Sequence, residues 1–338
     1  MHAFPGKHTR FDRWSSLLAC GLVATAGLLL AACQGDAPTG VAGGAATTAP
    51  TAFTLVPGAS RAVATSTQRL VRTMPTVQLV DPPEAGPAGV STRTVNSPFD
   101  LTFNGGPVVT SATSRNVYVN CAAGPAACWG TGTLTPATYL EDLNHSNLIE
   151  VADQYLRENA AGQFRLTELQ TTATFTGNTA SLDDVFEIIF SASRFLNASG
   201  YHNIFHVFLP KGTDMCMTPT SCYSPDNPST FTFCAFHGSV NFGPDQHVLF
   251  TVQPYQAVPD CQLLNQTRVI DATASTLSHE FFEAITDPDL DAWFNDLTGN
   301  EVSDLCFTFR NNEQVGRHAY VVQEEYSNTI HLCTDGAR

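Results

Sequence analysis

Ser278-His279-Glu280-Phe281-Phe282-Glu283-Ala284-Ile285-Thr286-Asp287-Pro288 reads as the end of a helix. Pro288 disfavours helical backbone at the residue before it, which places the stop near Thr286. Upstream to about Val269, the residues Ile270, Ala274, Leu277, Phe281 and Ile285 recur at spacings of three and four. They form one apolar stripe. At ~100° per residue, Thr276, His279, Glu280, Glu283 and Asp287 fall on the opposite side. His279 and Glu283 are four apart, so their side chains meet over one point, with Glu280 beside it.

A ligand pair at i and i+4, with a glutamate next to the first ligand, is the arrangement of the His-Glu-x-x-His zinc hydrolases. There the glutamate acts on water at the metal. Here Glu283 takes the place of the second histidine. A carboxylate ligates zinc, and also calcium or manganese, so zinc is expected and calcium is the second candidate. The competing reading is a polar helix face in solvent, holding nothing.

An acidic segment follows. Glu301 and Asp304 stand close enough behind the helix to supply a third ligand, Glu301 first and Asp304 in its stead. A solvated acidic loop is the alternative. Asp287, Asp289 and Asp291 resemble the opening of a calcium loop, but Ala292 stands where the EF-hand needs glycine and Thr298 where it needs glutamate.

The chain has 338 residues, 43% of them apolar, enough for a core in one or two domains. Acids outnumber bases 31 to 16, for a net charge of −15. That argues against nucleic acid and against an anionic membrane surface as partners. Lys7, Arg10 and Arg13 precede an apolar run, Leu17 to Leu30, that ends Leu30-Ala31-Ala32-Cys33. The run is short for a membrane span and fits a signal peptide over 1–32. The ending resembles the bacterial lipoprotein box, which predicts lipid on Cys33; ordinary secretory cleavage is the alternative. The expected location is the bacterial cell envelope, outside the cytoplasm, with the N-terminal lipid as the membrane contact. Residues 33–94 are rich in Ala, Thr, Gly and Pro, as in Gly43-Gly44-Ala45-Ala46-Thr47-Thr48-Ala49-Pro50, and read as a flexible tether. The domain is expected over 95–338.

Export makes the cysteines candidates for disulfides. With Cys20 and Cys33 set aside, eight remain. The simplest local scheme pairs Cys121 with Cys128, Cys216 with Cys222, Cys234 with Cys261, and Cys306 with Cys333. A structural zinc site competes, though no paired Cys-x-x-Cys is present.

Strand material is expected at Thr76–Val80, Val108–Val109, Val117–Val119, Phe164–Thr174, Ile204–Leu209, Val248–Val252 and Tyr320–Val322. Helices are expected after Thr135-Pro136, over Asn147–Leu156, and from a Ser181 cap to Asn197. Met215 to Phe242 reads as a cysteine-rich loop region. Alternating strands and helices predict an α+β fold, a mixed sheet with packed helices, stapled by disulfides.

A series of blocks resembles the Exordium and phosphate-induced protein 1 family and its bacterial relatives. They are Gly105-Gly106-Pro107-Val108-Val109-Thr110; Phe233-Cys234-Ala235-Phe236-His237-Gly238; Gln253-Pro254-Tyr255 with Cys261; and Ser278-His279-Glu280 through Asp287-Pro288. Ala292-Trp293, Gly299-Asn300-Glu301 with Asp304 and Cys306, and Val322-Gln323-Glu324-Glu325-Tyr326-Ser327-Asn328 before Cys333 complete the series. They stand in the family's order over about Asn104 to Cys333, and bacterial members share a His-Glu-x-x-Glu helix. The resemblance implies an extracytoplasmic protein, associated in plants with the cell wall, and leaves the reaction open.

Helix and resemblance together predict a zincin-like domain that hydrolyses peptide or protein. His279, Glu283 and Glu301 or Asp304 hold the metal, Glu280 is the base, and His237 is a further ligand or an oxyanion stabiliser. The alternative is a non-catalytic protein binding a cell-envelope component on the same scaffold.

Overall fold

The computed structural model describes residues 51–53, 69–75, 97–130, 132–166, 171–256, 258, 261 and 268–336. The expected signal peptide, Cys33 and the strand expected at Thr76–Val80 lie outside the described residues. No helix among the described residues is long and apolar enough to cross a membrane.

The unit from Ala46 onward is built on one eight-stranded mixed sheet. Its strands are β1 (Thr51–Ala52), β2 (Arg69–Pro75), β3 (Ala112–Val119), β4 (Phe164–Leu166), β5 (Thr171–Ala173), β6 (Asn203–Phe208), β7 (Phe233–Asn241) and β8 (His247–Gln253). The order is β1-β5-β3-β6-β8-β7-β2, with β4 also on β3. The first five of that path run parallel, whereas β7 is antiparallel to β8 and β2 antiparallel to β7.

Strand alternation divides the core in two. Tyr118, Ile204, Phe208 and Leu249 join the cluster that holds α3 (Val269–Thr286) and α1 (Pro136–Leu143). Val117, Val119, Phe205, Val207, Val248 and Phe250 face α2 (Leu182–Leu196) on the other side. The helix starts follow their sequence signals. Thr135 accepts from the Thr138 N–H with proline next in line, and Ser181 and Asp184 form a capping box.

Every residue of α3 from Ile270 to Thr286 is buried, so the polar side of this helix is not a solvated face. It packs on β7 and β8 and under a hairpin of β9 (Phe309–Val315) and β10 (His318–Gln323). The four disulfides pair as the local scheme predicts, consistent with an oxidising compartment.

Several expectations change. β1 and β2 lie in the stretch read as tether, and Phe53 stacks on Phe195 at 5.5 Å. Composition averaged over Ala, Thr and Gly hides both a strand of two residues and one of seven. Met215–Phe242 is not loop: its start lies in the hairpin of Asp214–Thr218 with Ser221–Tyr223, and its end is β7, Phe233–Asn241. Val108–Val109 is not a strand; the Val109 N–H instead donates to the Ile285 carbonyl in the last turn of α3. The helix expected over Asn147–Leu156 forms as a 3₁₀ turn, Ile149–Ala152, leading into Asp153–Leu156.

Candidate metal centre

His279, Glu280 and Glu283 are presented by α3, His237 by β7, and Glu301 and Asp304 by the loop before Cys306. Phe236 and Val240 pack towards α2, so His237 between them turns to α3. The loop is shaped by Asn295, whose side-chain oxygen accepts from the Leu297 and Thr298 N–H groups. It is tied down by Ser303, whose hydroxyl lies 3.1 Å from the His279 carbonyl and 2.6 Å from Glu325. The Cys306–Cys333 disulfide holds its far end.

His279 Nε2 lies 3.2 Å from Glu283 Oε1 and 3.5 Å from Asp304 Oδ1. None of the three atoms has a hydrogen-bond partner, and all are buried. Two ligands on a tetrahedral zinc, at bonds of ~2.0–2.1 Å, sit about 3.3 Å apart. His279, Glu283 and Asp304 therefore form a set able to hold a divalent cation. The imidazole suits zinc better than calcium, which prefers oxygen throughout.

Of the two candidates for third ligand, Asp304 converges on this point. Glu301 stands elsewhere: its Oε1 is 3.5 Å from His237 Nε2 and its Oε2 is 2.8 Å from Arg72 Nε. His237 does not join the first set. Its Nδ1 lies 3.0 Å from Glu280 Oε2 and 3.4 Å from Glu283 Oε2, making a second possible ligand group with those two acids. Glu280 has both oxygens engaged, Oε2 by His237 and Oε1 by the Met74 N–H at 3.1 Å. Asp287, Asp289 and Asp291 belong to neither group among the described residues. Asp287 accepts from the Ala292 N–H, while Asp289 takes Tyr201 and His247.

Residues without an assigned role in the sequence reading complete the surroundings. Gln323 donates its amide to the Ser303 carbonyl at 2.7 Å and the Cys306 carbonyl at 2.5 Å. Its oxygen is thereby turned to His279 Nδ1, at 3.3 Å. A proton on Nδ1 then leaves the Nε2 lone pair for a metal. Arg72 and Met74 were hidden in the supposed tether. The run Gln323-Glu324-Glu325, polar within a strand region, was the visible trace of the rest.

Burial raises Glu280 to about 7, with His237 pulling the other way. Burial raises Glu325 to about 8 and Asp304 above its ordinary value. Burial also acts upward on Glu283, but the two histidines outweigh it and hold that carboxyl at about 2. A cleft of about 280 Å³, lined by Arg72, Thr73, Asn300, Asp304 and Phe307, reaches the centre from outside. Asp304 is 8% exposed, whereas His279 and Glu283 are sealed, so solvent meets the set at Asp304.

No family model matches the chain, and no curated protein or solved structure does.

Proposed function

We propose that this chain is a metal-dependent peptide hydrolase on a zincin-like, Exordium-related scaffold, held outside the cytoplasm by lipid on Cys33. The observation that carries the reading is the convergence of His279 Nε2, Glu283 Oε1 and Asp304 Oδ1, buried, unpartnered and at ligand spacing. A divalent cation bound there would polarise a carbonyl and acidify water. His279, Glu283 and Asp304 hold it, Gln323 sets the tautomer of His279, and Glu280 takes up the proton of the attacking water and passes it to the leaving amine. His237, against Glu280, orients that carboxylate.

Elemental analysis of the purified protein tests the site. One zinc per chain in the wild type and none in His279→Ala is expected. Glu280→Gln should keep the metal and lose peptide hydrolysis by roughly 10²–10⁴-fold. Undiminished hydrolysis in that variant removes Glu280 from the base role.

A second reading, a non-catalytic envelope-binding protein with a structural metal, is favoured by one observation: both Glu280 oxygens are already bonded. Metal bound with no hydrolysis under any condition would select it.

A further inference from the structure

We propose that the outer edge of β7 is a binding site for an extended peptide segment bearing a basic side chain, and that this chain's own Arg69–Pro75 occupies it. β2 is the last strand of the sheet, antiparallel on β7 from Phe233↔Pro75 to Val240↔Arg69. As an edge strand it leaves most of its side chains partly open to solvent. Leu70, Val71, Arg72 and Thr73 are half-buried and only Met74 is fully buried, while β7 beneath it is buried from Phe233 to Val240. β2 is fixed by its main-chain ladder, by Met74 and Val71 packed on the α2 side of the core, and by contacts to the candidate metal centre; a ladder on an open sheet edge with pockets for alternate side chains is how a peptide is bound by strand addition.

Those contacts converge on two acids and one loop. The Met74 N–H donates to Glu280, Arg72 Nε pairs with the buried Glu301 at 2.8 Å, and Arg72 Nη1 donates to the Gly299 carbonyl. Glu301 is fully buried, so the pocket it makes selects a cation, and a guanidinium best of all. Gly238 marks the seat of the strand. A Cβ there would lie 1.9 Å from the Leu70 carbonyl oxygen, so only glycine lets this backbone approach. The cleft that reaches Asp304 runs along β2, with Arg72 and Thr73 in its wall.

The site is thus self-occupied. While β2 is seated, each Glu280 oxygen already has a protein partner, and the Met74 N–H leaves Oε1 when the strand does. A second extended segment reaches the centre by taking the place of β2 on β7. That such a segment is a substrate rests on the hydrolase reading; the strand site does not.

The full-length protein tests this in two ways. Hydrogen exchange on the wild type should show the Leu70–Met74 amides exchanging at least 100-fold faster than those of β8, through local release of the strand. Equal protection of β2 and β8 overturns the proposal, even if no variant folds. A labelled Arg-Leu-Val-Arg-Thr-Met-Pro peptide should bind an Arg72→Ala/Met74→Pro variant at least tenfold tighter than it binds the wild type. The same peptide with alanine in place of its second arginine should bind the variant at least tenfold more weakly. Failure of the folded variant to bind, or binding indifferent to that arginine, overturns it as well. The two readings fail separately. Peptide bound but never cleaved by the metal-loaded variant sinks the hydrolase and keeps the strand site. Equal cleavage of a generic peptide by wild type and variant sinks the strand site and keeps the hydrolase.

Discussion

Gln323 is a single amide on which the chemistry of His279 depends. Its NH₂ group is committed to two carbonyls, so its oxygen has one orientation and faces Nδ1. Gln323→Leu removes that partner without changing charge. Metal affinity should fall roughly 10–100-fold in a chelator-competition titration, as for other partners that orient ligand histidines. An unchanged affinity would mean that packing alone sets the imidazole. His206 makes the opposite use of the same side chain. It sits fully buried between Thr251 and Ser114, at 2.9 and 3.1 Å, and burial lowers it from 6.5 to about 3. The unfolded chain takes up the proton near 6.5 and the folded chain only near 3. Stability from a neutral His206 is therefore complete above pH 6.5 and is lost as the pH falls towards 3. The difference in unfolding free energy between wild type and His206→Gln should shrink by about 3 kcal/mol between pH 6.5 and 4. A difference that stays flat across that range would show that His206 does not stay neutral in the fold.

At the scale of elements, α3 was the most legible piece of the chain. Its period, its proline stop and the adjacency of His279, Glu280 and Glu283 all follow from local geometry. That its polar side is buried was not legible, because burial depends on the β9–β10 hairpin and on a loop that arrive from later in the chain. The choice of Asp304 over Glu301 has the same origin: both stand at workable distances in sequence, and the turn at Asn295 with the Ser303 anchor decides which one converges. β7 was misread as loop because cysteine, glycine and polar residues interrupt its apolar run, yet each has a structural reason, Cys234 in a disulfide and Gly238 under Leu70. The same contact predicts the effect of a methyl group. Gly238→Ala should lift β2 from β7, raise exchange of the β2 amides and expose Glu280, while β8 keeps its protection. Loss of protection throughout the sheet would instead make β2 part of the cooperative core. The Cys306–Cys333 bridge closes a separation of 27 residues that contains Gln323 and Glu325, and it anchors the end of the ligand loop. Replacing both cysteines by alanine should cost about 3–4 kcal/mol of unfolding free energy and weaken metal binding together, read by denaturant titration with and without zinc.

At the scale of the whole molecule, the candidate metal centre is where this acidic protein buries a cluster of carboxyl groups. Glu280, Glu283, Glu301, Glu325 and Asp304 are all buried around one volume, and Arg72 pairs with one of them from an edge strand. Burying carboxylates without cations to match is unfavourable, and breaking such a set open by leaving charges unmatched costs several kcal/mol. Protons on the histidines and on the Glu325 carboxyl, which burial pushes up to about 8, relieve part of that cost in the metal-free chain. A divalent cation relieves it more directly, and binding to the folded state alone stabilises by about 4 kcal/mol at a thousandfold excess over Kd. For a domain of this size that corresponds to a shift in Tm on the order of 10 °C. A strong chelator at fixed pH should lower the Tm of the wild type by that much, and zinc added in excess of the chelator should restore it. His279→Ala should start near the chelated value and respond to neither reagent. A wild-type Tm indifferent to both would mean that the buried acids are balanced within the chain, by Arg72 and shared protons, and that the spacing around His279 is a feature of packing.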